Sequence, residues 1–439
     1  MNKRKWQKKA VFLFALLITS FGCGSVNNLE TEIQNPPPPS SSEKVLQPQI
    51  SRISAEETDA AEPTIATSPD GKVFVAWVEH LAKKEANVIV QSFNKEGRPS
   101  SEKVRVNPQI GQATAWRGDP PSVAVAPDGA VYVVWTARVA SADGHSTDIY
   151  ISASRDAGRS FAPPVKVNDD TVPNSHGMHS LAVDKSGQVY VAWLDERNIK
   201  KEPPPPPPSP TPALANGEKP KHVHPKEPNR EVFFSVSTDG GKTFSANKKL
   251  GDEVCPCCET SILAADDGKV YVSWRQVLPG DFRHIAIAAS TDKGDNFTAP
   301  TIVSDDQWQI AACPVSGATL LSGAENSLKV LWFTSGKAGP PGLYMTESKD
   351  NGKTFAPRTL VSEVLPTGTA SLLAKGDKYS VVWGADNAKV FLKNAENADQ
   401  EMAAGELPAA AFVDGNVLTS FLKKEDGKRG VWLSVLRNQ

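Results

Sequence analysis

The sequence predicts an all-β fold assembled from repeated antiparallel units. Two observations predict it. The eight-residue pattern S-x-D-x-G-x-x-F occurs four times in 439 residues. A short Val/Tyr-rich strand ending in Trp recurs in fixed phase with that pattern, usually after an Asp-Gly turn. One such octet is weak evidence, but a phased set signals a repeat architecture.

The octets are Ser154–Phe161, Ser237–Phe244, Ser290–Phe297 and Ser348–Phe355. Each follows an apolar alternation: Ile149 to Ala153, Val232 to Val236, Ile285 to Ala289 and Leu343 to Glu347. The chemistry suits a hairpin corner. Asp156, Asp239, Asp292 and Asp350 can accept turn amides, the following Gly can take a left-handed φ, and the Phe can pin the turn to the sheet. The pattern resembles the Asp-box, or BNR, repeat of the sialidase-like β-propellers. That resemblance implies four-stranded blades, with the box between third and fourth strands on the face away from the ligand. It does not imply sialidase activity, because one fold hosts many functions.

From its start, the chain reads as an exported protein. Net charge is −2, and residues 1–22 hold five cations and no acids, so their removal leaves −7. A mildly acidic body gives no support for nucleic-acid binding. The basic start, the apolar run Ala10 to Ile18 and the small residues before Cys23 form a secretory signal. The run is short for a membrane span. Ser20-Phe21-Gly22-Cys23 resembles a bacterial lipoprotein box, which implies cleavage before Cys23, lipid on its sulfur and attachment to the cell envelope. Gly24 follows rather than Asp, so the resemblance points to the outer membrane in a Gram-negative cell. An ordinary signal peptide with a stray Cys is the alternative. Residues 23–46, with Pro36 to Pro39 and Ser40 to Ser42, read as an extended tether.

Residues 47–439 carry the repeats. Asp-Gly or Ser-Gly turns precede Val73–Trp77, Val131–Trp135, Val189–Trp193 and Val270–Trp274, and weaker copies end at Trp332, Trp383 and Phe421. We assign these as second strands, giving seven units. Six blades, the sialidase number, is the alternative. The last unit lacks a fourth strand, and Gln49 to Ser54 is expected to supply it, closing the propeller and covering an edge. Trp193 lies 44 residues before its octet, whereas Trp135, Trp274 and Trp332 lie 19, 16 and 16 before theirs. The surplus, about residues 198–230 with Pro203 to Pro208, is expected as a solvated loop.

Strand direction sorts the polar residues. With the octets at one end, the lead-ins to first strands rim the channel at the other. Four lead-ins are chemically unusual: Trp116-Arg117-Gly118-Asp119, His176-Gly177-Met178-His179, Cys255-Pro256-Cys257-Cys258 and Cys313-Pro314. Asp119 and Cys258 both lie 16 residues before the next Trp, and His176 and Cys257 both lie 17 before it. Neighbouring loops at the same end add Arg138, Asp195, Arg275 and His284. Loops collect polar residues anyway, but the concentration of His and Cys at one end exceeds that expectation. Arg117, Asp119, Arg138, Asp195, Arg275 and His284 are therefore candidate ligand-binding residues.

After Cys23, four cysteines remain: Cys255, Cys257, Cys258 and Cys313. In an exported protein they can form two disulfides, in three connectivities. Adjacent Cys257 and Cys258 would make a strained pair, so each would take a more distant partner. The other reading is a soft metal site for copper or zinc, with His176, Met178 or His179 as further ligands. One disulfide plus two ligands is a mixed case. Cys313 is expected beside the triplet under either reading.

Sialidases use a Tyr nucleophile, and the resemblance adds three Arg that hold a carboxylate. Tyr132, Tyr150, Tyr190, Tyr271, Tyr344 and Tyr379 all fall inside second or third strands. The Arg-Ile-Pro of the first sialidase blade is replaced by Ala61-Glu62-Pro63-Thr64. The expected function is therefore a monomeric, envelope-anchored, non-catalytic module that binds a metal ion, a glycan or an envelope protein. A sialidase-type hydrolase and a purely structural scaffold are the alternatives.

Overall fold

The computed structural model describes residues 47–81, 85–114, 119–141, 144–199, 228–310, 314–323, 325, 327–375, 378–395 and 397–437. All of them belong to one compact unit, Leu46–Gln439. Cys23, the signal and tether, Arg117, Cys313 and most of the 198–230 insertion lie outside the described residues.

The described residues form four-stranded antiparallel groups, here numbered I to VII in chain order. Group I holds Asp59–Thr67, Val73–His80, Ala86–Phe93 and Val104–Arg105. Group II holds Ser122–Val125, Val131–Arg138, Thr147–Ser154 and Val165–Lys166. Group III holds His176–Val183, Val189–Asp195, Arg230–Ser237 and Lys248–Val254. Group IV holds Ser261–Ala264, Val270–Leu278, Phe282–Ser290 and Thr301–Ile302. Group V holds Ala318–Ser322, Leu328–Thr334, Gly342–Ser348 and Thr359–Ser362, and group VI holds Ser371–Lys375, Lys378–Ala385, Lys389–Asn394 and Gln400–Ala404. Group VII takes Glu406–Val413, Asn416–Glu425 and Lys428–Arg437 from the C-terminal end and Gln49–Arg52 from the N-terminal end. Groups I and II are bridged through Ala113–Thr114, and III and IV through a Val254–Gln276 pairing.

Alternation along each second strand drives packing on both faces. Trp77, Trp135, Trp193, Trp274, Trp332 and Trp383 are all fully buried. An apolar cluster fills each space between successive groups, and a further one joins VII to I. Each fully buried large apolar side chain contributes about 1.5–3 kcal/mol of transfer free energy, and one of these six Trp sits in every cluster except that between VI and VII. First strands of successive groups touch, and the first strand of VII touches that of I.

The octets build the hairpin between third and fourth strands. In the third copy Ser290 Oγ donates to Asp292 Oδ1 (2.7 Å) and accepts from Gly294 N (2.8 Å). Asp292 accepts from Asn296 N and Nδ2, both at 2.8 Å. Gly294 has φ +89°, and its neighbour Lys293 is also left-handed at +58°. Hydrogen bonds from Asn296 and Ser290 hold the Asp292 carboxyl down at about 2. Phe161, Phe244, Phe297 and Phe355 pack onto the inter-sheet cores.

A second local device shapes the other end. The first strands of I, III and VII carry bulges, so Glu62-Pro63, Met178-His179 and Leu407-Pro408 lie where the register skips Trp77, Trp193 and Phe421. Glu62, Met178 and Leu407 have φ of 53°, 52° and 48°. Bulges re-aim side chains at sheet ends. Here they turn Glu62 to the central cavity and Met178 into the III–IV core.

Candidate functional site

The octets and the cysteine loop sit at opposite ends of their sheet. Ser290 pairs with Val270, at the start of the second strand of group IV, while Cys255 N donates to Arg275 O (2.9 Å) near its other end. The loop runs from the fourth strand of III to the first strand of IV. Cys255, Cys257 and Cys258 are buried, with one sulfur from each lying within 4.8 Å of the others. Cys257 is disulfide-bonded, whereas Cys255 and Cys258 are free thiols. Their sulfurs are 3.3 Å apart, and Cys255 Sγ is 3.9 Å from Cys257 Sγ. The contact with Cys258 lowers the Cys255 thiol, helped by the charges of Arg283 and Arg275. Burial pushes Cys258 up. Met178 packs in the same apolar cluster as the three cysteines.

His176 and His179 do not belong to that sulfur group. His179 is buried over group II, where Ser122 Oγ lies 2.9 Å from its Nδ1. Burial lowers its basicity. His176 turns toward the II–III seam. Its Nδ1 contacts Thr147 O, and its Nε2 stands 3.3 Å from both Asp170 Oδ1 and Asp195 Oδ2. Burial opposes its charge, but Asp170 and Asp195 together raise it to about 9. Asp195 is fully buried and accepts from Trp193 Nε1 (2.8 Å), Arg197 N (2.8 Å) and Arg197 Nε (3.0 Å).

The remaining candidates scatter. Asp119 accepts from Met178 N (2.7 Å) and Thr136 Oγ1 (3.0 Å), tying II to III. Arg138 is exposed and donates to Gly144 O (2.6 Å). Arg275 is fully buried, donates to Ser316 O and Phe333 O, and lies over Trp308. His284 is buried edge-on to Phe282, with Nε2 3.7 Å from Asp305, and burial lowers its basicity. Arg138 therefore serves a network of its own, while the charge of Arg275 reaches both His284 and Cys255.

A central cavity of about 600 Å³ holds residues that sequence reasoning missed. Its wall includes Glu62, Glu259, Thr319, Thr367 and Thr369. Burial, then Asp119 and Glu62, raise the Glu259 carboxyl to about 8. Glu259 keeps partial exposure on the cavity wall, so it sits in a recess rather than in packed core. The missed signal was positional: Glu62 and Glu259 each lie 15 residues before the next Trp, as does Met178.

No known family's sequence profile matches the chain, and no curated protein matches it in sequence. Among solved structures, it is similar to a protein of unknown function from Dyadobacter fermentans, at TM-score 0.48 and 14% identity, over 89% of this chain and 99% of that one. It is also similar to the Hadza microbial sialidase Hz136, at TM-score 0.49 and 14% identity, over 82% and 73% of the two chains. A third is Trypanosoma rangeli sialidase in complex with sialic acid, at TM-score 0.49 and 13% identity, over 89% and 59%.

Proposed function

We propose that the chain is an envelope-anchored, seven-bladed β-propeller that binds a soft metal ion, Cu(I) or Zn(II), through Cys255 and Cys258. The cyclic contacts of the first strands and the Gln49–Arg52 pairing in group VII support the propeller reading. One observation carries the metal reading: two free, buried thiols in C-x-x-C spacing with sulfurs 3.3 Å apart. Thiolate pairs favour soft ions, and Met178 offers a soft thioether in the same cluster. The residues described around the cavity include no Tyr, so a sialidase-type nucleophile has no candidate among them.

Anaerobic titration of the purified protein with Cu(I), against a chromophoric competitor, is expected to show one tight equivalent. Cys255→Ser or Cys258→Ser should weaken it by more than about 100-fold, beyond the usual loss for outer-shell partners. Unchanged Cu(I) affinity in both variants would remove the proposal. Attachment is tested separately. Cys23→Ser should move the protein from the membrane fraction to the soluble one, and unchanged fractionation would count against lipid on Cys23.

A further inference from the structure

A second cluster, on the II–III seam, has the geometry of a harder site. His176 Nδ1 faces the Thr147 carbonyl, so it carries the proton and Nε2 presents its lone pair. The His176 side chain is fully buried, and Nε2 has no aligned hydrogen-bond partner. Carboxylate oxygens of Asp170 and Asp195 each stand 3.3 Å from Nε2. Lone pairs facing one another repel, so a positive centre belongs between them: a second proton on the ring, which the two carboxylates favour, or a metal ion that displaces it. A charge-assisted N–H···O contact is about 2.7–2.9 Å. Two ligands each about 2.1 Å from one metal ion stand about 3.0–3.4 Å apart at ordinary coordination angles. The observed spacing fits the second case.

Charge and support agree with this. Asp148, Asp169, Asp170 and Asp195 gather here against Lys166 and Arg197. With a neutral imidazole these six groups leave an excess of two negative charges, which one divalent ion cancels. Asp195 Oδ2 is already occupied by Trp193 and Arg197, so Asp195 is a positioning residue rather than a ligand. The candidate ligands are His176, Asp170 and Asp148, whose atoms lie within 4.8 Å of one another, with Asp148 Oδ1 also paired to Lys166 at 3.2 Å. Asn168 Nδ2 donates to Asp148 Oδ1 (2.8 Å) and Asp170 Oδ1 (2.7 Å), orienting both carboxylates. Both side chains keep slight exposure, at 13% and 11%, which leaves room for water to complete the shell.

We propose that Asp148, Asp170 and His176 form a site for a divalent first-row metal ion, with the Thr147 carbonyl and Asn168 as outer-shell supports. The site is independent of the cysteine pair. The test uses the full chain, stripped with chelator and titrated with Mn2+ under electron paramagnetic resonance. One equivalent should bind, with nitrogen hyperfine coupling from one imidazole in the pulsed spectrum. His176→Gln should remove that coupling and weaken binding at least about tenfold, the lower range for disturbed metal sites. Asp148→Asn, at the more exposed ligand, should weaken binding comparably while retaining the coupling, and it serves if His176→Gln does not fold. Cys255→Ser should leave Mn2+ binding unchanged, which separates this result from the soft-metal site. Absence of bound Mn2+, or bound Mn2+ without nitrogen coupling, would overturn the proposal and show that His176 is an imidazolium held between carboxylates.

Discussion

Asp195→Ala is expected to destabilise the protein by about 3–5 kcal/mol, the range for removing one partner from a buried charge network. The carboxylate is fully buried and anchors three groups at once: the Trp193 indole and the Arg197 backbone and guanidinium. Alanine would leave the Trp193 N–H without an acceptor and a cavity at the end of the second strand of group III. Arg197 would keep Asp169 (2.6 Å) and Asn247 (2.9 Å), which is why the loss stays within this range. Urea unfolding at fixed pH would measure it. A change below about 1 kcal/mol, the scale of an exposed pair, would show that Asp169 suffices to hold the guanidinium.

Trp274→Ala should cost about 3–5 kcal/mol, as full truncation of a buried aromatic does. The ring is fully buried in the III–IV core, and its Nε1 donates to Gln276 Oε1 (2.8 Å). Its packing explains a glycine. A Cβ on Gly251 would meet Trp274 Cζ2 at 2.7 Å, so the fourth strand of group III can approach the ring only without a side chain. Gly251→Ala should therefore cost about 1–3 kcal/mol by overpacking. In the Trp274→Ala background the same substitution should cost little, because the clash is gone. Thermal or urea unfolding of all four proteins gives the coupling directly. Additive losses would mean that Gly251 is required for a reason other than the indole.

The strand framework was largely legible because its signals are local. The octet fixes a hairpin through side chains within five residues, and the Trp positions mark second strands through burial on both faces. The N-terminal strand Gln49–Arg52 of group VII was legible for a different reason: the last repeat was one strand short. The site was less legible. Spacing placed His176, Met178 and His179 together at one lead-in, but the bulge at Met178 sends the three side chains in different directions. Met178 reaches the cysteine core, whereas His176 faces Asp170 and Asp195. Asp148 comes from the third strand of group II and Asp170 from the connection between groups II and III, and no pattern within the repeat marks them. Arg275 is typed by sequence as a loop cation, yet its guanidinium is spent on the carbonyls of Ser316 and Phe333.

The pairing of Gln49–Arg52 with Lys428–Arg437 also fixes an order of events in biosynthesis. Val431 N donates to Ser54 Oγ across 377 residues of chain. A polypeptide delivered from its N-terminus exposes the early strand first and must wait for nearly its whole length before the partner arrives. Throughout that interval the strand is an open edge, of the kind that recruits chaperones or mispairs with other chains. A product that stops short of residue 428 therefore leaves Gln49–Arg52, at the opposite end of the chain, without its partner strand.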